Sequence, residues 1–205
     1  YIPSSRGSDS VAAAAHLIPH STLTAELWDA VNGFASTVGW QIVFGLNIFD
    51  GWERGTRTWN PEHSLALMRY TKHQGYGVVG WELGNEPDLK CKDLQATEVA
   101  VAIERFVNAV SEVYADTGAG TPKSPWLIGP DTTKNGVRHR YLSDVLEALE
   151  RPSLDVVTWH HYYAAGSGAQ FHVADFLEPQ YLDKYSDYAK IAKADFEKYR
   201  GRRAD

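Results

Sequence analysis

The stretch Val78-Val79-Gly80-Trp81-Glu82-Leu83-Gly84-Asn85-Glu86-Pro87 decides how the rest of the sequence is read. Its first six residues are apolar except for one carboxylate, which predicts a strand over 78–83. The polar cluster that follows, closed by a proline, marks the point where strand gives way to loop. Glu82 then lies inside an apolar strand and Glu86 at its mouth. Carboxylates are rarely buried without a partner, so something must hold both.

Working outward, the chain alternates two kinds of segment. Thr24 is placed to cap a helix with Leu27, Val31, Phe34 and Val38 as its apolar face, ending near Gly39. Residues 41–47 read as a buried strand, and Asn60-Pro61 as the start of a helix carrying Leu65, Leu67 and Met68 and closed by Gly75. Downstream, apolar residues at 99, 103, 106, 107, 110, 113 and 114 predict a long amphipathic helix stopped by Gly118. Residues 126–129 read as a third strand, and Tyr141, Leu142, Val145, Leu146 and Leu149 as a further helical face. Asp155 to Trp159 reads as a fourth strand, and roughly 181–199 as a last helix with Tyr185, Tyr188, Ile191 and Ala192 on one side. Residues 1–20 show no clear period and read as a loop or a short helical piece.

Strand-then-helix alternation is the pattern of βαβ units around a parallel sheet. Four such units fit half of a (β/α)8 barrel, which takes about 250 residues, or an open doubly wound sheet. No GxGxxG or GxxxxGK[ST] run follows any strand, which weighs against a nucleotide-binding protein.

The 205 residues are 43% hydrophobic and 22% charged, the composition of an ordinary globular chain. No window approaches 18 uncharged apolar residues and the first thirty show no signal-peptide pattern, so neither a membrane span nor a signal peptide is expected in this stretch. A formal net charge of −6 repels nucleic acid, which is not expected as a partner. The single cysteine, Cys91, excludes an internal disulfide and reads as a bystander thiol.

In parallel α/β folds reacting groups gather at the carboxyl ends of strands. Three of the predicted ends are crowded with polar and aromatic residues: Glu82 to Pro87, Gly129-Pro130-Asp131, and Trp159-His160-His161-Tyr162-Tyr163. Glu82 is expected in a structural salt bridge. Glu86 is either an exposed strand-end acid or a general acid/base, a carboxyl in a partly apolar cleft being tuned toward the working pH. The two are not a glycosidase couple. Four strand residues at about 3.3 Å each separate their backbones by roughly 13 Å, against about 5.5 Å for retaining and about 9.5 Å for inverting enzymes. Adjacent histidines point to opposite faces of a strand and no further ligands stand at suitable spacing, so no metal site is expected. His161 reads as a packed, hydrogen-bonded core residue, Asp131 as a helix cap or a ligand contact, Tyr162 as a cleft or core aromatic, and Trp81 and Trp159 as core or subsite walls.

The Asn-Glu-Pro core of 85–87 looks like the acid/base strand of clan A retaining glycosidases, the fourth strand of their barrel. Phe44-Gly45-Leu46-Asn47, Gly75-Tyr76, Trp81 to Pro87, Gly129-Pro130-Asp131 and Val157 to Tyr163 together resemble the heparanase family, glycoside hydrolase family 79, over about residues 22–185. The resemblance implies a (β/α)8 TIM barrel of which residues 1–205 are a partial catalytic domain covering strands three to six, without strands 1, 2, 7 and 8 or a β-sandwich domain. It implies a retaining β-glucuronidase with Glu86 as acid/base and no cofactor. Asn85 would bond the sugar 2-hydroxyl, His160 would contact the uronic acid, Tyr162 would orient the nucleophile, and Asp131, Lys134 and Arg138 would meet the glycan. The implied partner is a glycosaminoglycan or another glucuronic-acid-containing polysaccharide. Extracellular or lysosomal localisation, with association at a membrane periphery or extracellular matrix, is expected from the family alone.

Two departures qualify these expectations. The family's nucleophile sits in a Gly-Glu-Thr-like segment that does not follow Tyr163, and neither Glu178 nor Glu197 fits it, so the 205 residues alone are expected to be inactive. The basic residues Lys134, Arg138 and Arg140 are few, and Ser167 stands where heparanases carry a glycan-contacting arginine, which favours a less sulfated uronide. A xylanase-, mannanase- or glucanase-like clan A enzyme and a non-catalytic glycan-binding relative are the alternatives.

Overall fold

The computed structural model describes residues 22–49, 51–53, 55–91, 94–115, 124–162 and 173–202. The piece expected over 1–20, the stop at Gly118, and Tyr163 and Ser167 lie outside the described residues.

Helix α1 (Ala25–Val38) begins where expected: the Thr24 hydroxyl accepts the Leu27 N–H at 3.2 Å. It ends on Gly39 in the left-handed conformation, whose N–H returns to the last turn. Its buried side is not the expected one. Leu27, Val31, Phe34 and Val38 are exposed, and Trp28, Asn32 and Ala35 are buried. Trp28 turns the helix this way, because its indole packs on Phe44 and Trp81 at ring-centroid distances of 4.8 and 6.3 Å and donates to the Thr71 hydroxyl at 2.9 Å.

Strand β1 (Ile42–Leu46) is followed by an antiparallel pair, β2 (Trp52–Glu53) and β3 (Thr58–Trp59). The Asn60 side chain accepts the Glu62 N–H at 3.0 Å at the start of α2 (Glu62–His73), and Gly75 at φ +71° closes it. Strand β4 (Val78–Leu83) matches its expected bounds. A short helix α3 (Pro87–Lys90) precedes the long α4 (Ala96–Tyr114), which packs on α2 and on α6 (Tyr141–Ala148). Between them lie β5 (Trp126–Ile128), β6 (Thr132–Thr133) and α5 (Lys134–Arg138). The chain continues through β7 (Trp159–His160), a 3-10 turn at Val173–Leu177, α7 (Pro179–Leu182) and α8 (Lys184–Arg200). On α8, Ala192 and Tyr199 are buried whereas Tyr185 and Ile191 of the expected face are exposed.

β1, β4 and β5 form one parallel sheet in that order, with Phe44 opposite Trp81, Gly45 opposite Glu82, and Glu82 opposite Ile128. A parallel bridge from Ile128 to Val156 and the parallel β6–β7 pair extend the succession. Apart from the antiparallel β2–β3 pair, the described strands therefore make an open parallel arc; among the described residues they do not close into a barrel. The fourth expected strand is split. Asp155 accepts the Leu127 N–H through its side chain at 2.9 Å, occupying a position that a ladder bond would use, and regular pairing resumes only at Trp159–His160. Trp81, Phe44 and Trp28 fill one face of the sheet, which assigns Trp81 to the core. No helix among the described residues is long and apolar enough to cross a membrane.

Candidate active site

The carboxyl end of β4 is fixed by backbone contact with the segment after β5. Gly84 has φ +130°, and a β-carbon there would stand 2.0 Å from the Pro130 carbonyl oxygen. Only glycine lets the two strand ends approach so closely. Glu86 follows, not as a strand residue but in the left-handed conformation at φ 55° and ψ 52°. Its N–H donates to the Asp131 carbonyl at 2.6 Å, and its own carbonyl accepts the Leu89 and Lys90 N–H groups of the next turn. Asp131 is also left-handed at φ 55°. A non-glycine residue in this region carries a cost of about 1–3 kcal/mol, so its surroundings must over-determine it.

Asp88 supplies part of that determination. Its carboxylate accepts both the Thr133 N–H, at 2.9 Å, and the Thr133 hydroxyl. That same hydroxyl oxygen accepts the Asn135 and Gly136 N–H groups and caps α5. The cap of this helix is thus Thr133, and Asp131, for which capping was one of two expected roles, is left to do something else.

What Asp131 does is bind His160. The two nitrogens of His160 face two carboxylates, with Nδ1 2.7 Å from Glu86 Oε1 and Nε2 3.1 Å from Asp131 Oδ1. The Glu86 and Asp131 side chains are only 12% and 11% exposed. Burial, and next the charge of Glu82, push the Asp131 carboxyl up to about 6; Glu86 acts in the same direction, and His160 and Lys90 oppose it.

The final strand reads as two faces. On one, Thr158 donates to Glu82 Oε1 at 2.7 Å, His160 joins Glu86 to Asp131, and Tyr162, 57% exposed, sets its ring edge-on to His160 at 5.9 Å. On the other, Trp159 stacks on Tyr185 and His161 packs against Tyr185 and Tyr188. Burial foremost lowers the His161 pKa, with the Lys134 charge adding to it. Of the packed, hydrogen-bonded core residue expected at His161 the structure shows the packing, with the residue half-buried, and Tyr162 belongs to the open rim and not to the core. Glu82 has no ion pair among the described residues, which corrects the expected salt bridge: the Thr158 hydroxyl takes that place. Thr158 and Asp88 escaped sequence reasoning, although Thr158 stands two residues before His160 and so shares its face.

Asn85 is exposed beside Glu86 and makes no side-chain hydrogen bond among the described residues. Lys134 donates to the Tyr162 carbonyl at 2.9 Å, tying α5 to the rim, and Arg138 is exposed at the other end of that helix. The structure thus brings Glu86, Asp131, His160 and Tyr162 together, with Asn85 and Lys134 adjoining, and leaves Arg138 outside the contacts. Among the described residues no group of three or more histidine, cysteine or acidic side chains is arranged to hold a metal ion.

Comparison with known proteins gives the family. The chain is 28% identical over 170 residues to chicken heparanase, covering 82% of this chain and 31% of that protein. It is 29% identical over 168 residues to heparanase-like protein 3 of Arabidopsis thaliana, covering 77% and 29%. To baicalin-beta-D-glucuronidase of Scutellaria baicalensis it is 30% identical over 179 residues, covering 77% and 32%. The chain spans about a third of the length of these relatives. The model of glycosyl hydrolase family 79, N-terminal domain, matches residues 14–201, and the chain is a heparanase-like member of that family.

Proposed function

We propose that this chain carries the acid/base half of a retaining β-glucuronidase acting on glucuronic-acid-containing glycans, and that its parallel arc is strands three to six of a (β/α)8 barrel. The observation that carries this is the placement of Glu86. It stands at the carboxyl mouth of the arc, its carboxyl mostly enclosed and hydrogen-bonded to His160, with the exposed Asn85 amide next to it. Relatives named heparanase and baicalin-beta-D-glucuronidase support a glucuronide as the substrate class.

In this mechanism Glu86 gives its proton to the glycosidic oxygen as the aglycone leaves, then takes a proton from the water that releases the glycosyl-enzyme. Asn85 holds the sugar 2-hydroxyl, a bond that strengthens as positive charge develops at the anomeric carbon. The nucleophilic carboxylate comes from outside the described residues, in a longer protein like the relatives of which this chain spans about a third. Lys134 and the exposed Arg138 offer modest positive charge to a polyanion, which suits a sparsely sulfated uronide at the cell exterior or in the lysosome. In the full-length protein, Glu86→Gln is expected to lower turnover of an aryl β-D-glucuronide with a poor leaving group by about 10²–10⁴-fold while preserving glycan binding. Wild-type turnover in that variant, or hydrolysis of neutral glycosides with none of the glucuronide, would reject the assignment.

A further inference from the structure

We propose that His160 is the positioning residue of the acid/base, steadying the Glu86 carboxyl through Nδ1 and being fixed in turn by Asp131 through Nε2. This rests on Glu86 being the acid/base, and gives His160 a role other than contact with the sugar.

Three observations carry it. First, the Glu86 backbone is pinned by the Asp131 carbonyl, but its side chain has a single polar side-chain partner among the described residues, His160 at 2.7 Å. An acid that must meet a glycosidic oxygen within a few tenths of an ångström needs its terminal torsion fixed. Second, the two ring nitrogens face two carboxylates, Nδ1 hydrogen-bonded to Glu86 at 2.7 Å and Nε2 within ion-pair distance of Asp131 at 3.1 Å. Third, Asp131 reaches the ring from the same segment whose carbonyl holds the Glu86 N–H, so one turn of chain fixes the acid by its backbone and its imidazole partner by a side chain.

The proton count follows from the geometry. A neutral imidazole has one N–H and one lone pair, whereas each carboxylate offers only acceptors. The Nδ1 contact is a hydrogen bond, and the 3.1 Å approach of Nε2 to Asp131 is attractive, only when the three groups together hold at least two protons. Either Glu86 donates O–H to Nδ1 while Nε2–H faces the Asp131 carboxylate, or Nδ1–H donates to Glu86 while Asp131 is protonated beside Nε2, or an imidazolium donates to Glu86 and faces Asp131 as an ion pair. The elevated Asp131 pKa is consistent with this carboxyl sharing a proton. When Glu86 protonates the glycosidic oxygen and the carbon–oxygen bond to the aglycone breaks, the trio keeps one proton. It regains the second when Glu86 deprotonates the incoming water. Throughout, the ring moves no heavy atom into the sugar site.

The test uses the full-length protein and two aryl β-D-glucuronides, dinitrophenyl and phenyl. The first has a leaving group that departs without a proton; the second needs one. For His160→Ala and His160→Gln the expected result is a fall in kcat/KM at least about tenfold larger on the phenyl than on the dinitrophenyl glycoside, with KM no more than about threefold above wild type. Asp131→Asn should show the same split, smaller in size. A KM rise with equal losses on both glycosides would make His160 a sugar contact and overturn the proposal, as would wild-type kinetics. A second arm needs no turnover: imidazole ¹⁵N resonances of His160 should move in both Glu86→Gln and Asp131→Asn. Unchanged resonances reject the coupling. A protein that hydrolyses no glycoside but shows these shifts would sink the glucuronidase reading and leave the His160 arrangement standing.

Discussion

Gly84 lies flat against the Pro130 carbonyl, so close that a β-carbon on it would overlap the oxygen at 2.0 Å. The contact joins the end of β4 to the turn that carries Asp131, and Glu86 depends on both. Gly84→Ala is expected to destabilise the protein by at least about 2 kcal/mol, from φ +130° and from the displaced carbonyl together, and to cost activity. Gly33 gives the control: inside α1, with nothing within 4 Å of its would-be β-carbon, its change to alanine should stabilise by about 0.5–1 kcal/mol. Thermal unfolding of the two variants checks both signs.

Asp131 gives stability a pH dependence of defined direction. Its folded pKa, about 6, lies above the ordinary 3.8, so between those values the folded state binds more proton than the unfolded one. The stabilisation is complete below about pH 4 and is lost as pH rises through about 6, by at most about 3 kcal/mol at roughly 1.4 kcal/mol per unit. Asp131→Asn should remove that slope, gaining on wild type at pH 7 relative to pH 4. Parallel unfolding curves across this window would count against it.

Asp88 binds the loop that follows Glu86 to the start of α5 by two hydrogen bonds to Thr133. Asp88→Ala should cost about 2–3 kcal/mol in chemical denaturation, the usual range for a charged acceptor removed from enclosed donors. Gly136→Ala should act in the same direction, because its β-carbon would press on Asp88 Oδ2 at 2.7 Å and Thr132 Oγ1 at 2.9 Å.

Thr158 is the hydroxyl that Glu82 relies on. Thr158→Val keeps the shape and removes the donor, and should destabilise by about 1–3 kcal/mol; Thr158→Ser should restore most of the loss. Equal stability of the valine and serine variants would show that Glu82 is satisfied by other means.

Local signals were legible in the sequence and long-range ones were not. The Thr24 cap, the Gly39 stop and the bounds of β4 follow from a few adjacent residues and agree with the structure. The apolar stripe of α1 misleads: its four residues are exposed and burial goes to Trp28, Asn32 and Ala35, because the bulk of one indole sets the rotation and a periodicity does not say which neighbour covers which face. At the candidate site, the polar strand ends marked Glu86, Asp131 and His160 as residues of interest. That His160 bridges the other two depends on β7 meeting β6 in one register, with Thr133 opposite His160, and no local pattern encodes that. The left-handed turn at Glu86 was equally hidden, since a side chain as long as glutamate has no local reason to adopt it and the Asp131 carbonyl and the α3 start enforce it.

The outward residues of α1, Leu27, Val31, Phe34 and Val38, continue into Trp40, with Val43 also exposed on β1. Handled as an isolated polypeptide, the 205 residues would offer water a greasy ridge. Concentration-dependent clumping and bright binding of a hydrophobic dye should accompany purification, and lysines in place of Leu27 and Phe34 should relieve both without touching the strand ends that hold Glu86 and His160.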